Sequence, residues 1–192
     1  MKIGVLALQG AFREHAAMVR QQGATPVEVR LPAHLDGLDG LIIPGGESTT
    51  IGKLAADYGL IEPLRDFATH QPTWGTCAGM IFLAKELDQH RQPILGLMDI
   101  TVDRNAFGRQ IDSFETDLAI DAIGVPPFHA VFIRAPVVTA VRPPVEVLAA
   151  LDDGRVVAVQ QGHWLATAFH PELTDDSRLH RHFMGMVNTA KS

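Results

Sequence analysis

The sequence predicts an α/β protein with a mixed, mostly parallel β-sheet and helices on both faces. Three observations carry that expectation. Short apolar runs alternate with amphipathic segments through the first half, which is the βαβα order of a parallel sheet. The second half turns to strands with no long helices between them, so the sheet is expected to be mixed. The only cysteine, Cys77, has a glycine two residues away on each side, at a strand-to-helix junction.

Each element follows from its local pattern. Ile3 to Leu8 is a nearly continuous apolar run, as expected of a strand buried on both faces. Phe12 to Gln22 reads as a helix that Gly23 ends. Val27 to Leu31 is a second strand and Gly40 to Ile43 a third, closed by Pro44-Gly45-Gly46. A helix follows Glu47-Ser48, with Ser48 as its cap, and runs to about Tyr58. Another covers Ile61 to His70. Pro72 to Thr76 is a fourth strand, and Ala78 to Leu87 has a strong helix pattern. Leu97 to Asp103, Gln110 to Ile120 and Ala130 to Arg134 read as strands. Val145 to Leu151 and Arg155 to Gln160 form a hairpin around Asp153-Gly154. Leu165 to His170 is one more strand, and Asp176 to Ala190 is a closing helix. The stretches Ala122 to Phe128 and Thr139 to Pro144 carry no motif. No linker rich in Pro, Gly or Ser interrupts the chain, so residues 1–192 are expected to form one domain.

Bulk composition removes several function classes. Apolar content of 46% and charged content of 20% suit a soluble globular protein. A net charge of -6 argues against binding nucleic acid or acidic membranes. No apolar run approaches the roughly 18 residues of a membrane span. The N-terminal MKIGVLALQG reads as a first strand rather than a signal peptide. A single cysteine excludes an intrachain disulfide, which makes a reducing cytoplasm the expected location.

Gly75-Thr76-Cys77-Ala78-Gly79 fits G-x-C-x-G, the cysteine form of a nucleophile elbow. Small flanking residues let strand and helix pack closely around a strained turn. A helix N-terminus beneath the sulfur favours the thiolate. The Ala78 N–H, one residue past the nucleophile, is placed to bind an oxyanion. A buried cysteine acting as a small hydrophobe fits the pentapeptide as well. A nucleophilic cysteine needs a base, and the base an orienting acid. Among nine histidines, His170 stands at the end of a strand with Glu172 two residues on. His-Pro-Glu also suits a surface turn, but the chain order of elbow and then base favours chemistry. Pro44 to Thr49 (PGGEST) is a third element, since glycines there leave amides free to approach a ligand. It reads as a second oxyanion donor at Gly46, as a phosphate cradle, or as an ordinary turn. It lacks G-x-x-x-x-G-K-[ST], and Lys53 lies too far along the helix for a cradle.

The chain resembles the class I (triad) glutamine amidotransferases, with their flavodoxin-like sheet. More closely it resembles the glutaminase subunits of pyridoxal 5′-phosphate synthase. The matching stretches are IGVLALQGAFREH, GLIIPGGESTTI, GTCAGMIFLAKEL, DRNAFGRQIDSFE, VFIRAP and FHPELTDD, in order along nearly the whole chain. The resemblance implies that Cys77 attacks the side-chain amide of glutamine through a γ-glutamyl thioester. It implies that His170 relays protons and that Glu172 orients His170. The amides of Gly46 and Ala78 would hold the oxyanion. Gly46, Glu47, Ser48, Arg104, Ile133 and Arg134 would bind glutamine, whose α-carboxylate suits an arginine. Ammonia would pass to a synthase subunit in a large hetero-oligomeric complex, for pyridoxal phosphate biosynthesis. No cofactor and no metal is implied. Family members are expected to be poorly active alone and switched on by docking, with orientation of the Gly45-Gly46 peptide as the cause.

Other residues are expected to be structural. His180 and His182 read as surface histidines, and His15 as solvated. His129 and His163 have no constellation around them, and Trp74 belongs in the core. Asp112 to Asp117 reads as a solvated strand or turn. Arg104 and Arg134, by spacing alone, read as solvated charges at strand ends. Three rival functions stay open: a stand-alone cysteine hydrolase or peptidase, a non-catalytic interaction subunit, and a redox sensor. The late His-x-Glu is unnecessary for a sensor, and an interaction subunit has no need of either motif.

Overall fold

A computed structural model describes residues 1–88, 91–104 and 113–191. Its main feature is a ten-stranded mixed sheet. The parallel half runs β2 (Thr25–Val29), β1 (Lys2–Leu6), β3 (Gly40–Ile43), β4 (Thr73–Thr76) and β12 (Trp164–Thr167). The sheet continues through β11 (Val156–Gln161), β9 (Val137–Val141), β6 (Met98–Asp103) and β5 (Ala84–Leu87), with β10 (Glu146–Ala150) paired to β11. Antiparallel pairs join β12 to β11, β11 to β9, β9 to β6 and β10 to β11. A separate antiparallel pair is β7 (Ser113–Leu118) with β8 (Phe128–Ile133).

Residue alternation along the central strands divides the core in two. Ile42 and Trp74 pack with Val19 of α1 (Phe12–Gln21) and with Leu179, Phe183 and Val187 of α5 (Arg178–Ala190). Leu41 and Ile43, one residue either side of Ile42, pack on the other face. They meet Ile51 and Ala55 of α2 (Ser48–Asp57), Leu64 of α3 (Ile61–His70) and Phe82 of α4 (Ala78–Leu83). Helices therefore cover both faces, as the βαβα order requires.

Three expectations change. The cap of α2 is Glu47, not Ser48. The Glu47 carboxylate accepts the N–H groups of Thr49 at 3.1 Å and Thr50 at 2.7 Å. An anionic cap also suits the positive end of the helix. This leaves Ser48 as the first buried residue of the inner stripe Ser48, Ile51, Gly52 and Ala55. The helix expected over Ala78 to Leu87 stops at Leu83, and Ala84–Leu87 becomes β5, parallel to β6. Every residue of α4 is buried, so another turn would carry Lys85 and Glu86 into the interior. Extended, they reach Asp99 (2.6 Å) and Arg142 (2.7 Å) at the exposed margin. Finally, Val137–Val141 forms β9 in the middle of the antiparallel half, where no strand was expected.

The remaining strands and helices agree within a few residues at their ends. The first part of the strand expected over Gln110 to Ile120 lies outside the described residues, as do Asp112 and most of the run RNAFGRQID. No helix among the described residues is long and apolar enough to cross a membrane.

Candidate active site

The loops that follow β1, β3, β4 and β12 meet at one end of the parallel half. Gln9, Gly46 to Ser48, Cys77 and His170 come from these loops and border one cavity of about 340 Å³. This is where an open parallel sheet holds its ligands.

Cys77 caps α4 in a strained conformation, φ 48° and ψ −103°. Its N–H donates to Thr167 O of the neighbouring strand at 2.8 Å, and its carbonyl accepts the Met80 N–H at 3.1 Å. The turn closes only because of its glycines. A Cβ on Gly79 would collide with the Ile43 carbonyl, and one on Gly75 with the backbone of Gly79. The thiol is 5% exposed in residue terms, and its Sγ lies 3.8 Å from the Ile133 carbonyl. With six residues, α4 has a short dipole, so the stronger partner for a thiolate is His170.

His170 follows β12 and opens the turn Pro171–Leu173. Its ring Nδ1–H donates to Glu172 Oε1 at 2.7 Å, and its backbone N–H to Val131 O at 2.8 Å. Burial alone would lower the affinity of the ring for a proton. The Cys77 thiol and the Glu172 carboxylate outweigh that and raise its pKa to about 10. Burial would raise the pKa of Glu172, yet His15 first and His170 second hold the carboxyl well below the usual range. His170 and Glu172 thus favour an imidazolium beside a carboxylate.

On the opposite wall, the Gly45 N–H donates to Thr76 Oγ1 (3.0 Å) and the Gly45 carbonyl accepts the Ala11 N–H (3.0 Å). A side chain on Gly45 would strike the His170 ring. The Glu47 N–H donates to Gln9 Oε1 at 2.7 Å. Burial is again the largest single influence on the Glu47 carboxyl, but bonds from Thr49 and Thr50 together push its pKa down to about 2. Arg104 reaches Glu47 Oε1 (3.3 Å) and Gln92 Oε1 (3.2 Å), and Ser48 Oγ donates to the same Gln92 oxygen (3.2 Å). Arg134 has φ 43° and lines the cavity beside Ile133.

Nine residues expected at a site therefore line one cavity: Gly46, Glu47, Ser48, Cys77, Ala78, Arg104, Ile133, Arg134 and His170. Glu172 stands behind His170, 6% exposed. Gln9 and Ile81 also line the cavity and were not singled out from the sequence. The cue for Gln9 was its place at the end of the first strand, just before Gly10.

The histidines need correction. His15 and His180 are fully buried, not solvated. His15 Nε2 lies 3.2 Å from Glu172 Oε2 and 3.1 Å from Thr76 Oγ1, and His15 Nδ1 lies 3.0 Å from His180 Nε2. His182 is partly buried and meets Gln160 Oε1 at 3.2 Å. His129 does have neighbours: Glu115 at 2.8 Å and Asp117 at 2.9 Å, all three exposed on the β7–β8 pair. His163 pairs with the Ala68 carbonyl at 2.9 Å. Trp74 is fully buried, as expected. Among the described residues, no group of three His, Cys, Asp or Glu side chains is arranged to hold a metal ion.

Comparison with known proteins adds independent findings. The family model of the SNO glutamine amidotransferases matches residues 5–189. The pyridoxal 5′-phosphate synthase subunit PdxT of Herpetosiphon aurantiacus is 60% identical over 190 residues, covering 97% of this chain and 100% of that protein. The protein of the same name from Deinococcus radiodurans is 59% identical and covers 97% of each chain. A crystal structure described as a glutamine amidotransferase superposes with a TM-score of 0.91 at 52% identity, over 97% of this chain and 98% of that one. The structure of PurLQS from Thermotoga maritima shares the fold at a TM-score of 0.69 and 17% identity, over 96% and 97% of the two chains.

Proposed function

The chain belongs to the SNO glutamine amidotransferase family, and from that premise we propose that it is the glutaminase subunit of a pyridoxal 5′-phosphate synthase. It would hydrolyse L-glutamine to L-glutamate and ammonia and pass the ammonia to a synthase subunit. The observation that carries the reading is that Cys77 and His170 line one cavity, with Glu172 bonded to His170 behind it. Two arginines, Gly46 and Ala78 line the same cavity.

The thiolate of Cys77 attacks the side-chain carbonyl carbon of glutamine. The π electrons of that carbonyl move to oxygen, where the N–H groups of Gly46 and Ala78 meet the negative charge. His170 gives its proton to the leaving nitrogen, the C–N bond breaks, and ammonia departs from a γ-glutamyl thioester. Water then attacks the thioester as His170 takes its proton, and the C–S bond breaks to restore the thiolate. Glu172 remains ionised throughout and fixes which nitrogen of His170 carries the proton. Arg104 or Arg134 pairs with the α-carboxylate. Glu47 and Gln92 preset Arg104, since both already hold its guanidinium. No metal or organic cofactor is needed for these steps.

Partner docking would act on the oxyanion donor. In a trans peptide the carbonyl and the N–H point opposite ways. The Ala11 to Gly45 bond therefore sets the direction of the Gly46 N–H. A synthase subunit seated at the start of α1 and on the Gly46 to Thr50 loop would press directly on that peptide. The test is glutamate release by the wild-type chain and by Cys77→Ala, with and without the synthase subunit. Release that needs both the partner and Cys77 supports the reading. A folded wild-type chain that hydrolyses no glutamine with its partner refutes it, and full activity of the isolated chain refutes the gating.

A further inference from the structure

Two buried histidines that these steps do not use stand directly behind Glu172. His15 comes from α1 and His180 from α5, and neither is exposed at all. They occupy places on the inner stripes of their helices, beside Met18 and Val19 on α1 and beside Leu179 and Phe183 on α5. An apolar residue would fill either place without the desolvation cost of an imidazole. Two polar rings in such positions call for a reason.

Their geometry supplies one. Glu172 has two oxygens, and His170 Nδ1 holds Oε1 at 2.7 Å. The other, Oε2, is buried and has no well-aligned hydrogen bond among the described residues. The nitrogen that approaches it is His15 Nε2, at 3.2 Å, and the same nitrogen is 3.1 Å from Thr76 Oγ1. His180 Nε2 meets the far side of the His15 ring at 3.0 Å, and His180 stands edge-on to Trp74, with ring centroids 4.9 Å apart. Trp74 is in turn tied to β12 by its Nε1–H, which donates to Thr167 Oγ1 at 3.2 Å.

One assignment of protons suits every contact. Burial pushes the pKa of His180 down to about 3, so His180 is neutral. Its Nε2–H donates to His15 Nδ1, and the His15 Nε2–H then faces Glu172 Oε2 and Thr76 Oγ1. This leaves His180 Nδ1, which has no partner, as a bare acceptor rather than an orphaned donor. The four side chains form a file: His180, His15, Glu172, His170.

We propose that His15 is a positioning residue of the glutaminase reaction, holding the outer oxygen of Glu172 while His180 fixes the tautomer of His15. Through Glu172, the pair sets the orientation and protonation of His170. Thr76 extends the connection, because its Oγ1 also accepts the Gly45 N–H at 3.0 Å. His15 thus touches the support of the base and the anchor of the oxyanion loop at once. The titratable groups facing Glu172 are His170 on its own turn, His15 from α1 and His180 from α5, with Cys77 beyond His170. Without the His15 donor, burial would raise the pKa of the Glu172 carboxyl. Below that raised pKa, Glu172 is neutral, His170 loses its counter-charge, and the Cys77 thiolate loses its partner. The acid limb of Cys77 reactivity therefore moves to higher pH.

The role of His15 in catalysis rests on the glutaminase reading, whereas its effect on Cys77 does not, so two measurements separate them. The first is the rate of alkylation of Cys77 by iodoacetamide against pH, read by mass on the full chain, in which Cys77 is the only cysteine. The second is kcat and KM for glutamate release in the complex with the synthase subunit. The variants are His15→Leu, which removes both bonds; His15→Gln, whose amide N–H can replace Nε2–H; and His180→Phe, which keeps a ring against Trp74. For His15→Leu, kcat should fall about 10- to 100-fold, as for lost supporting partners at other sites, with little change in KM. The acid limb of alkylation should move up in pH. His15→Gln should restore most of both, and His180→Phe should fall between. Superimposable alkylation profiles and equal kcat for wild type and His15→Leu would overturn the proposal. So would a His15→Gln variant no better than His15→Leu, because packing would then be the cause. If His15→Leu does not fold, His15→Gln and His180→Phe decide. If the wild-type complex releases no glutamate, the glutaminase reading fails, and the alkylation profiles still decide the role of His15.

Discussion

Replacing Glu172 by glutamine keeps the shape of the side chain and removes its charge. Two nitrogens face its oxygens, His170 Nδ1 at 2.7 Å and His15 Nε2 at 3.2 Å. A carboxylate can accept from both, but an amide must turn its NH2 toward one of them. A hydrogen bond to a charged group is worth about 1.5–3 kcal/mol. At about 1.4 kcal/mol per tenfold, loss of the charge alone slows the reaction roughly 10- to 150-fold. If the NH2 faces His170, the ring is forced into the wrong tautomer, a change that costs about 10⁴-fold in a Ser-His-Asp triad. Glu172→Gln is therefore expected to lower kcat for glutamate release in the complex by about 10- to 10⁴-fold, with KM nearly unchanged. Steady-state kinetics with coupled glutamate detection reads this, and a thermal melt checks that the variant folds. A folded variant with kcat within about threefold of wild type would refute the reasoning, since His170 would then need no anion behind it.

Three more outcomes follow from single residues. Cys77 has φ 48°, a conformation that costs a non-glycine residue of order 1–3 kcal/mol. Cys77→Gly should abolish glutamate release yet stabilise the fold by about 1 kcal/mol, seen as a melting temperature a few degrees higher; a lower one would mean the turn is not strained. Arg104→Ala should raise KM at least tenfold with a smaller change in kcat, because Arg104 faces the cavity through its contacts with Glu47 and Gln92. A kcat defect with normal KM would remove it from substrate binding. His180 is neutral in the fold with a pKa of about 3, whereas an unfolded histidine titrates near 6.5. Between those values the unfolded chain binds the extra proton, so stability is lost as pH falls, by up to about 1.4 kcal/mol per pH unit. Urea unfolding at pH 6.5 and pH 5 should show a loss in wild type that is smaller by about 2 kcal/mol in His180→Phe; equal losses would show that His180 charges freely in the fold.

Much of the site was legible because its causes are local. The elbow needs small residues two positions either side of Cys77, since Gly75 and Gly79 pack backbone on backbone. His170 and Glu172 lie within one turn, so their pairing requires no distant partner. The family stretches supplied the residues proposed to bind glutamine, among them Arg104 and Arg134, which spacing alone assigned to solvated strand ends. The strands β1 and β3 were legible for a similar reason, because a strand buried on both faces is a short apolar run.

Sequence by itself determined the order of the elements as far as α4, the elbow and the adjacent pair His170 and Glu172, because each is a matter of neighbours along the chain. Tertiary structure alone decided the rest. Ala84–Leu87 has helical composition, but it extends because a fully buried α4 has no room for its charges. Val137–Val141 becomes a strand by filling the gap between β11 and β6. His15 and His180 share inner stripes with apolar residues, so their burial was within reach of helical periodicity. Their pairing was not. Helices α1 and α5 pack on one face of the sheet, and β12 lies beside β4, so the turn after β12 brings Glu172 up to His15. A hydrogen bond between residues far apart in sequence exists only once the sheet order brings their elements together.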